Sequence, residues 1–348
     1  MKQRHFDYDI DDDVADVISR LGSNVESFNG KTILITGGTG FFGRWLLQIL
    51  CTLISERQFK INVYVLSRNP SYFIHNNKDY PFDKLITFIQ GDITNFDFPN
   101  VELDYLIHMA TTAAAETFNG EDQLRKLELL YKGTKNVLEL AVARGVKKVL
   151  FTSSGVAYGP SNGSFLSEDM LSAPQTTNVG SALGEGKRLA EYLVAYYSSK
   201  FNFKFSIARC FAFYGPYLPL DIHYAIGNFV FDALYKDEIV IQGSGKDLRS
   251  YLYIADAWVW FLKMLSEADD ETYNVGSSQS ISIHDLANLV RKLLAPEKKV
   301  KLLGAGQSVG NFIRSVYVPN NDKIINGFGV SEWTKLSSGI LKMGMMRM

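Results

Sequence analysis

The chain is poor in cysteine, proline and histidine, with two, nine and five among 348 residues. Two thiols, Cys51 and Cys210, each in apolar surroundings, exclude a disulfide-stapled scaffold and make no zinc site. Both are expected to be buried and reduced. His108 and His223 show no ligand spacing with other His, Asp or Glu, so they are expected to be structural or to line a substrate, and no metal is expected. Charge of one sign is missing as well. The net charge is −1 and Lys and Arg are dispersed, which excludes nucleic acid and an anionic membrane as expected partners. The longest apolar runs, such as Ala257 to Leu262, fall far short of the ~20 residues of a membrane span. Acidic Asp7, Asp9 and Asp11 to Asp13 stand where a secretory signal would be basic and then apolar, so the expected location is cytoplasmic. With 46% hydrophobic and 21% charged residues, the chain reads as an ordinary globular protein, one compact unit with a smaller lobe.

What is there is organised around Ile33-Leu-Ile-Thr-Gly-Gly-Thr-Gly-Phe-Phe-Gly43. Lys31 to Thr36 reads as a buried strand and Phe41 to Ile54 carries a helical apolar pattern. Between them, Gly37, Gly40 and Gly43 sit three residues apart. Strand, glycine turn and helix in that order cradle a pyrophosphate. Gly37 permits the turn, Gly40 permits close approach to the ligand, and Gly43 permits close helix–strand packing. The helix N-terminus supplies free N–H groups and a favourable dipole. A bound dinucleotide is the expectation.

Ile61 to Leu66, Leu85 to Gln90, Leu103 to Met109 and Lys148 to Thr152 read as further strands. Leu124 to Arg144 reads as a helix stopped by Gly145. Strands alternating with helices predict an α/β fold: a Rossmann-type doubly wound parallel sheet with a smaller C-terminal substrate-binding lobe. The predicted domains are an N-terminal helical extension over 1–30, a dinucleotide-binding domain over 31–210, and a mostly substrate-binding lobe over 211–348 interleaved with it. In the extension, Val14, Val17, Ile18 and Leu21 predict an amphipathic helix stopped at Gly22. The tail from Ser331 reads as peripheral.

After the second strand an Asp or Glu would accept from the adenosine ribose and favour NAD. Ser67 and Arg68 stand there instead, and Arg68 suits a 2′-phosphate, so the cofactor leans towards NADP(H) over NAD(H). Asp92 either bonds the adenine amino group or serves its own turn. Small residues after the fourth strand, Ala110 to Thr112, let the chain pass close to the cofactor. Ser153 and Ser154 end the fifth strand, where ligands sit in such sheets. Asp256 reads as the N-cap of a helix over Ala257 to Leu265.

Several stretches then carry a resemblance: Thr36 to Gly43, Gly91-Asp-Ile93, Ile107-His-Met-Ala110, Ser153-Ser-Gly-Val-Ala-Tyr-Gly159, Lys187 with Glu191, Arg209 to Pro216, Arg249 to Asp256, and Tyr273-Asn-Val-Gly276. Over about residues 31 to 325 the chain resembles the extended short-chain dehydrogenase/reductases, in particular the NAD(P)-dependent nucleotide-sugar epimerase/dehydratase group. The resemblance implies cofactor contacts at Gly37, Thr39, Gly40, Phe41, Phe42 and Gly43. Further contacts are implied at Ser67, Arg68, Asp92, Ile93, Ala110, Thr112 and Lys187. It implies that Ser154 bonds the sugar hydroxyl or ketone, and that Lys187 holds the nicotinamide ribose and lowers the pKa of a tyrosine one turn earlier. It implies substrate contacts at Asn228, Phe229, Arg249 and Arg314, and a homodimer built on helices near 124–144 and 184–200.

The tyrosine position holds Leu183. Leu130 and Ala212 similarly replace asparagines usual in the family. Three accounts stand side by side: another acid/base substitutes, with Glu185 first; Leu183 was introduced to disable the enzyme; or the protein binds a cofactor or nucleotide sugar without turnover. Gly155 and Val156 follow Ser154, where dehydratases and decarboxylases of the family carry an acid. The expected chemistry is therefore C4 epimerisation or keto-sugar reduction, with a 4,6-dehydratase using a non-tyrosine acid as the alternative.

Overall fold

The computed structural model describes residues 8–111, 120, 122–160, 165–222, 224–304 and 315–347. Thr112, His223 and Arg314 lie outside the described residues.

Six strands follow in order: β1 (Thr32–Thr36), β2 (Asn62–Ser67), β3 (Thr87–Gln90), β4 (Tyr105–His108), β5 (Lys148–Ser154) and β6 (Lys204–Cys210). Short strands β7 (Phe213–Tyr214), β8 (Glu238–Ile241), β9 (Leu248–Ser250) and β10 (Leu252–Tyr253) precede β11 (Glu271–Val275). The main sheet runs β11-β6-β5-β4-β1-β2-β3, with every neighbouring pair parallel. Central strands covered on both faces should be continuously apolar, and Ile33, Leu34 and Ile35 are all buried. β11 joins the sheet against β6, so the chain beyond 210 returns to the main sheet. The smaller sheets pair β10 with β7, β9 with β12 (Ser280–Ser282) and β14 (Val316–Tyr317), and β8 with β13 (Lys299–Leu302).

Around the sheet lie the helices Phe41–Ser55, Gln123–Ala143, Ala182–Phe201 and Ile254–Glu267. The last of these is buried from Ile254 through Leu262, so its apolar run is a core helix. The N-terminal helix Ile10–Leu21 buries Val14, Val17, Ile18 and Leu21, the face its spacing predicts. It also buries a charge. Asp13 accepts from the Tyr8 hydroxyl at 2.7 Å and the Tyr253 hydroxyl at 2.6 Å, and pairs with Lys342.

Two sequence expectations are corrected. Asp256 is the third residue of its helix, not the cap, and Tyr253 stands at the N-cap. The Asp256 carboxylate is fully buried and accepts from Thr334 N–H at 2.7 Å, Thr334 Oγ1 at 3.1 Å and Arg20 at 3.3 Å. It ties the N-terminal helix to the tail. Nor is the tail peripheral. Glu332 accepts from Ser277, the Ser278 N–H and Asn321. The helix Leu336–Met345 seats Gly339 against Tyr214, where a side chain would begin 2.5 Å from the ring, and buries Ile340 and Met343. These partners lie from 11 to 236 residues apart, and no local pattern reveals them.

Candidate active site

The order of strands reverses between β1 and β4, with β2 and β3 on one side and β5, β6 and β11 on the other. A crevice opens at such a switch point, beyond the carboxyl ends. Thr36 lies opposite His108 in register and leads into the glycine turn. Gly37 has φ +76°, and a side chain there would begin 2.8 Å from Ala110 N. At Gly43 a side chain would begin 2.3 Å from the Gly38 backbone, so helix and turn touch main chain to main chain. Gly40 is different. Its nearest neighbour would be Gly37 O at 3.6 Å, which leaves open space. Gly40 is also the N-cap of the helix Phe41–Ser55, with no side chain capping that end. Uncapped N–H groups beside an open glycine form the cradle a pyrophosphate requires. The Phe42 ring packs on Phe213 at 4.9 Å and its carbonyl accepts from Trp258 at 3.1 Å; Phe41 stacks edge-on against it.

A hydrogen-bonded ladder braces the turn. Thr36 Oγ1 accepts from the Ala110 N–H at 3.3 Å and lies 2.7 Å from His108 Nδ1. His108 Nε2 lies 3.0 Å from Thr134 Oγ1. Burial, with the Lys187 charge adding to it, pulls His108 down to about 3, so the ring is neutral. Farther out, Thr39 Oγ1 lies 3.3 Å from Ser67 Oγ. Ser67 is buried and Arg68 exposed. Asp92 accepts from Thr94 Oγ1 at 2.6 Å and Thr94 N–H at 3.0 Å. Those bonds, with Arg68 and Arg125 nearby, lower its pKa. Ile93 is buried, and its carbonyl accepts from Asn136 at 2.9 Å.

β4 separates β1 from β5, and Thr36 aligns through His108 with Phe151, so Ser154 lies two strands across and three residues farther along than Thr36. Ser154 Oγ accepts from the Val156 N–H at 3.3 Å, and its register partner on β6 is Cys210. The helix Ala182–Phe201 is docked on this turn by Gly184, where a side chain would begin 2.9 Å from Val156 O. Leu183 and Lys187, one turn apart, share a helix face. Lys187 is buried; its Nζ donates to Thr152 O at 2.6 Å and lies 4.8 Å from the Phe151 ring centre. Burial pulls it down to about 8, against smaller raising effects of Cys210 and Glu191. Leu130 is buried against Gly186, the residue before Lys187.

Glu185 is not brought to this group. Two residues from both Leu183 and Lys187, it lies about 200° round the helix from each, on the stripe of Tyr192 and Tyr196. One carboxylate oxygen is buried without a hydrogen-bond partner. Asn228 Oδ1 is likewise buried and unpartnered, whereas the Phe229 ring is core. Arg249 donates to Leu248 O at 2.8 Å. Gly155 is closed. A side chain there would begin 2.8 Å from both Phe211 Cζ and the Tyr317 hydroxyl, whose rings pack 4.8 Å apart.

Residues quoted above only as family marks form a chain under the site. Glu191 takes two hydrogen bonds from Arg209, at 3.0 and 2.7 Å, and one from Ser153 Oγ. The Arg209 guanidinium lies 4.5 Å over the Tyr158 ring. Tyr158 donates to Asn274 Oδ1 at 2.8 Å. The side-chain chemistry of Glu191 and Arg209 was the available signal for this brace.

A seven-stranded parallel sheet with a glycine turn at its switch point defines a Rossmann-type α/β protein. The chain belongs to the NAD dependent epimerase/dehydratase family, whose pattern matches residues 33–276. It is 29% identical over 283 residues to UDP-glucuronic acid decarboxylase 6 of Arabidopsis thaliana, covering 78% of this chain and 76% of that one. It is 28% identical over 274 residues to the UDP-N-acetyl-alpha-D-glucosaminuronate decarboxylase of Bacillus cytotoxicus, covering 78% and 82%. Among solved structures, a mutant UDP-glucuronic acid 4-epimerase from Bacillus cereus, in complex with UDP-4-deoxy-4-fluoro-glucuronic acid and NAD, superposes with a TM-score of 0.76. It is 23% identical, and the match covers 91% of this chain and 99% of that one. No helix among the described residues is long and apolar enough to cross a membrane.

Proposed function

We propose that the protein is an NAD(P)-dependent enzyme that oxidises and reduces a ring hydroxyl of a nucleotide-activated sugar, with C4 epimerisation or keto-sugar reduction as the outcome. The observation that carries the reading is the alignment of the open Gly40 cradle with Ser154 and Lys187, two strands apart on one sheet edge. The family's cofactor fits these residues. Gly37 to Gly43 would hold its pyrophosphate, Ser67 and Arg68 would face its adenosine ribose, and Lys187 would approach its nicotinamide ribose. When bound, it supplies the hydride acceptor and donor. Ser154 Oγ orients the sugar oxygen, and Arg249 and Asn228 are the proposed contacts to the nucleotide.

Neither position after Ser154 carries an acid, which supports epimerisation or reduction over the decarboxylation named for the two relatives. At Gly155 a side chain would also begin 2.8 Å from Phe211 and Tyr317. Arg68 supports NADP(H) over NAD(H), and the test is the ratio of dissociation constants before and after Arg68→Ala. Exposed Tyr131, Leu189, Tyr192, Tyr196 and Phe201 support a homodimer through the helices Gln123–Ala143 and Ala182–Phe201. The deciding experiment incubates the protein with UDP- and dTDP-sugars and either cofactor, following cofactor absorbance and products by mass spectrometry. An epimer or reduced sugar is the expected product. Release of carbon dioxide from a UDP-uronic acid, with no epimer formed, would overturn the reading.

A further inference from the structure

The reading above leaves a proton without a carrier. Oxidising a sugar hydroxyl releases one, and Leu183 has no group to take it. Lys187 Nζ is faced from three strands and its own helix. From β5 come Thr152 O at 2.6 Å and the Phe151 ring. From β6 comes the Cys210 thiol, which burial pushes up to about 12. From β4 comes His108, neutral and held on both nitrogens by Thr36 and Thr134. From the same helix comes Glu191, both of whose oxygens are engaged by Arg209 and one also by Ser153. Glu185 lies on the far side of the helix. Among the described residues packed here, the Cys210 thiol also carries a proton, but burial keeps it protonated; that leaves the Lys187 amine, bonded to Thr152 O two residues before Ser154, as the base of the group.

Resting on that reading, we propose that Lys187 is itself the proton carrier. Its neutral Nζ takes the hydroxyl proton, directly or through one water, while the adjacent C–H hydride leaves with its electron pair for the nicotinamide. The O–H and C–H bonds break, an N–H bond and a C=O double bond form, and the return step reverses each change. The surroundings of Lys187 suit this role. The side chain is buried, desolvation disfavours the charged form, and Leu183 one turn earlier brings no hydroxyl to stabilise the ammonium. A lysine with a pKa near 8 is suited to general acid–base work at neutral pH.

The first test needs no sugar. Competitive labelling of amines across pH, read at Lys187 by peptide mass spectrometry, should show a midpoint near 8; a midpoint above 10 overturns the proposal. The second uses Lys187→Arg, which keeps charge and donors but releases no proton. It should lower sugar-dependent turnover by about 100-fold or more, with cofactor affinity held within about threefold. In a Leu183→Tyr background, where a phenol can carry the proton, the same change should cost under about tenfold. Equal losses in both backgrounds overturn the proposal. The two readings fail separately. Turnover with an ordinary lysine midpoint overturns only the proton carrier, whereas a midpoint near 8 with no turnover of any nucleotide sugar overturns the enzyme reading beneath it.

Discussion

Glu191 and Arg209 form a two-pronged ion pair directly beneath Ser153, with both side chains nearly out of solvent at 11% and 14% exposure. The pair links the helix carrying Lys187 to β6 and, through Ser153, to the end of β5. Removing one member leaves a buried charge alone, which typically costs about 3–5 kcal/mol. Glu191→Ala is expected to lower the unfolding free energy, and with it the denaturant midpoint, by that cost. The double variant Glu191→Ala with Arg209→Met is expected to recover part of the loss, and equal midpoints for the two variants would contradict a buried pair.

The three glycines of the turn are expected to separate by role. Gly43→Ala forces helix and turn apart and should destabilise the fold by a few kcal/mol, the range of core overpacking. Gly40→Ala meets nothing closer than 3.6 Å, so its unfolding midpoint should change little. Its cofactor dissociation constant should rise at least about tenfold, because the methyl group occupies the ligand's space. Calorimetry and cofactor titration of the two proteins distinguish these outcomes.

His108 predicts an acid limit to stability. Its folded pKa, about 3, lies below the ordinary 6.5, so the unfolded chain binds the extra proton first. The contribution is intact above pH 6.5 and is lost as pH falls from 6.5 towards 3. By pH 5 the loss is about 2 kcal/mol. Denaturant melts from pH 7 to 5 should show that slope, and His108→Gln, which cannot titrate, should flatten it.

The tail is expected to be indispensable. Ending the chain after Ser331 removes Thr334 from Asp256, Glu332 from Ser277 and Asn321, and Lys342 from Asp13. The truncated protein should be insoluble or lose its cooperative melt. Lys342→Ala alone, which strands the buried Asp13, should lower the midpoint while leaving the fold intact.

Tyr192→Glu with Tyr196→Glu should convert the proposed dimer to monomer in sedimentation velocity. The two stacked rings are 63% and 46% exposed, so the monomer should keep its thermal midpoint. A dimer persisting in the double variant would move the interface elsewhere.

How much of this was legible follows from range. β1, its glycine turn and the next helix are local, and their bounds agree with the pattern to within a residue. Lys187 and Ser154 were legible as motif positions. Asp13, Asp256 and the tail were not, because their meaning lies in partners from opposite ends of the chain. Glu185 shows a different limit. It stands two residues before Lys187, yet helical phase turns it to the other side, and counting residues without the 3.6 period hides that.

Filling of the space at Gly155 by Phe211 and Tyr317 bears on how this chain's chemistry can drift. A side chain installed there by a single codon change would press on the tip of the Phe211 ring and on the Tyr317 hydroxyl. Position 155 is thereby coupled to two remote segments of the chain, and variation at any one of the three is felt at the other two.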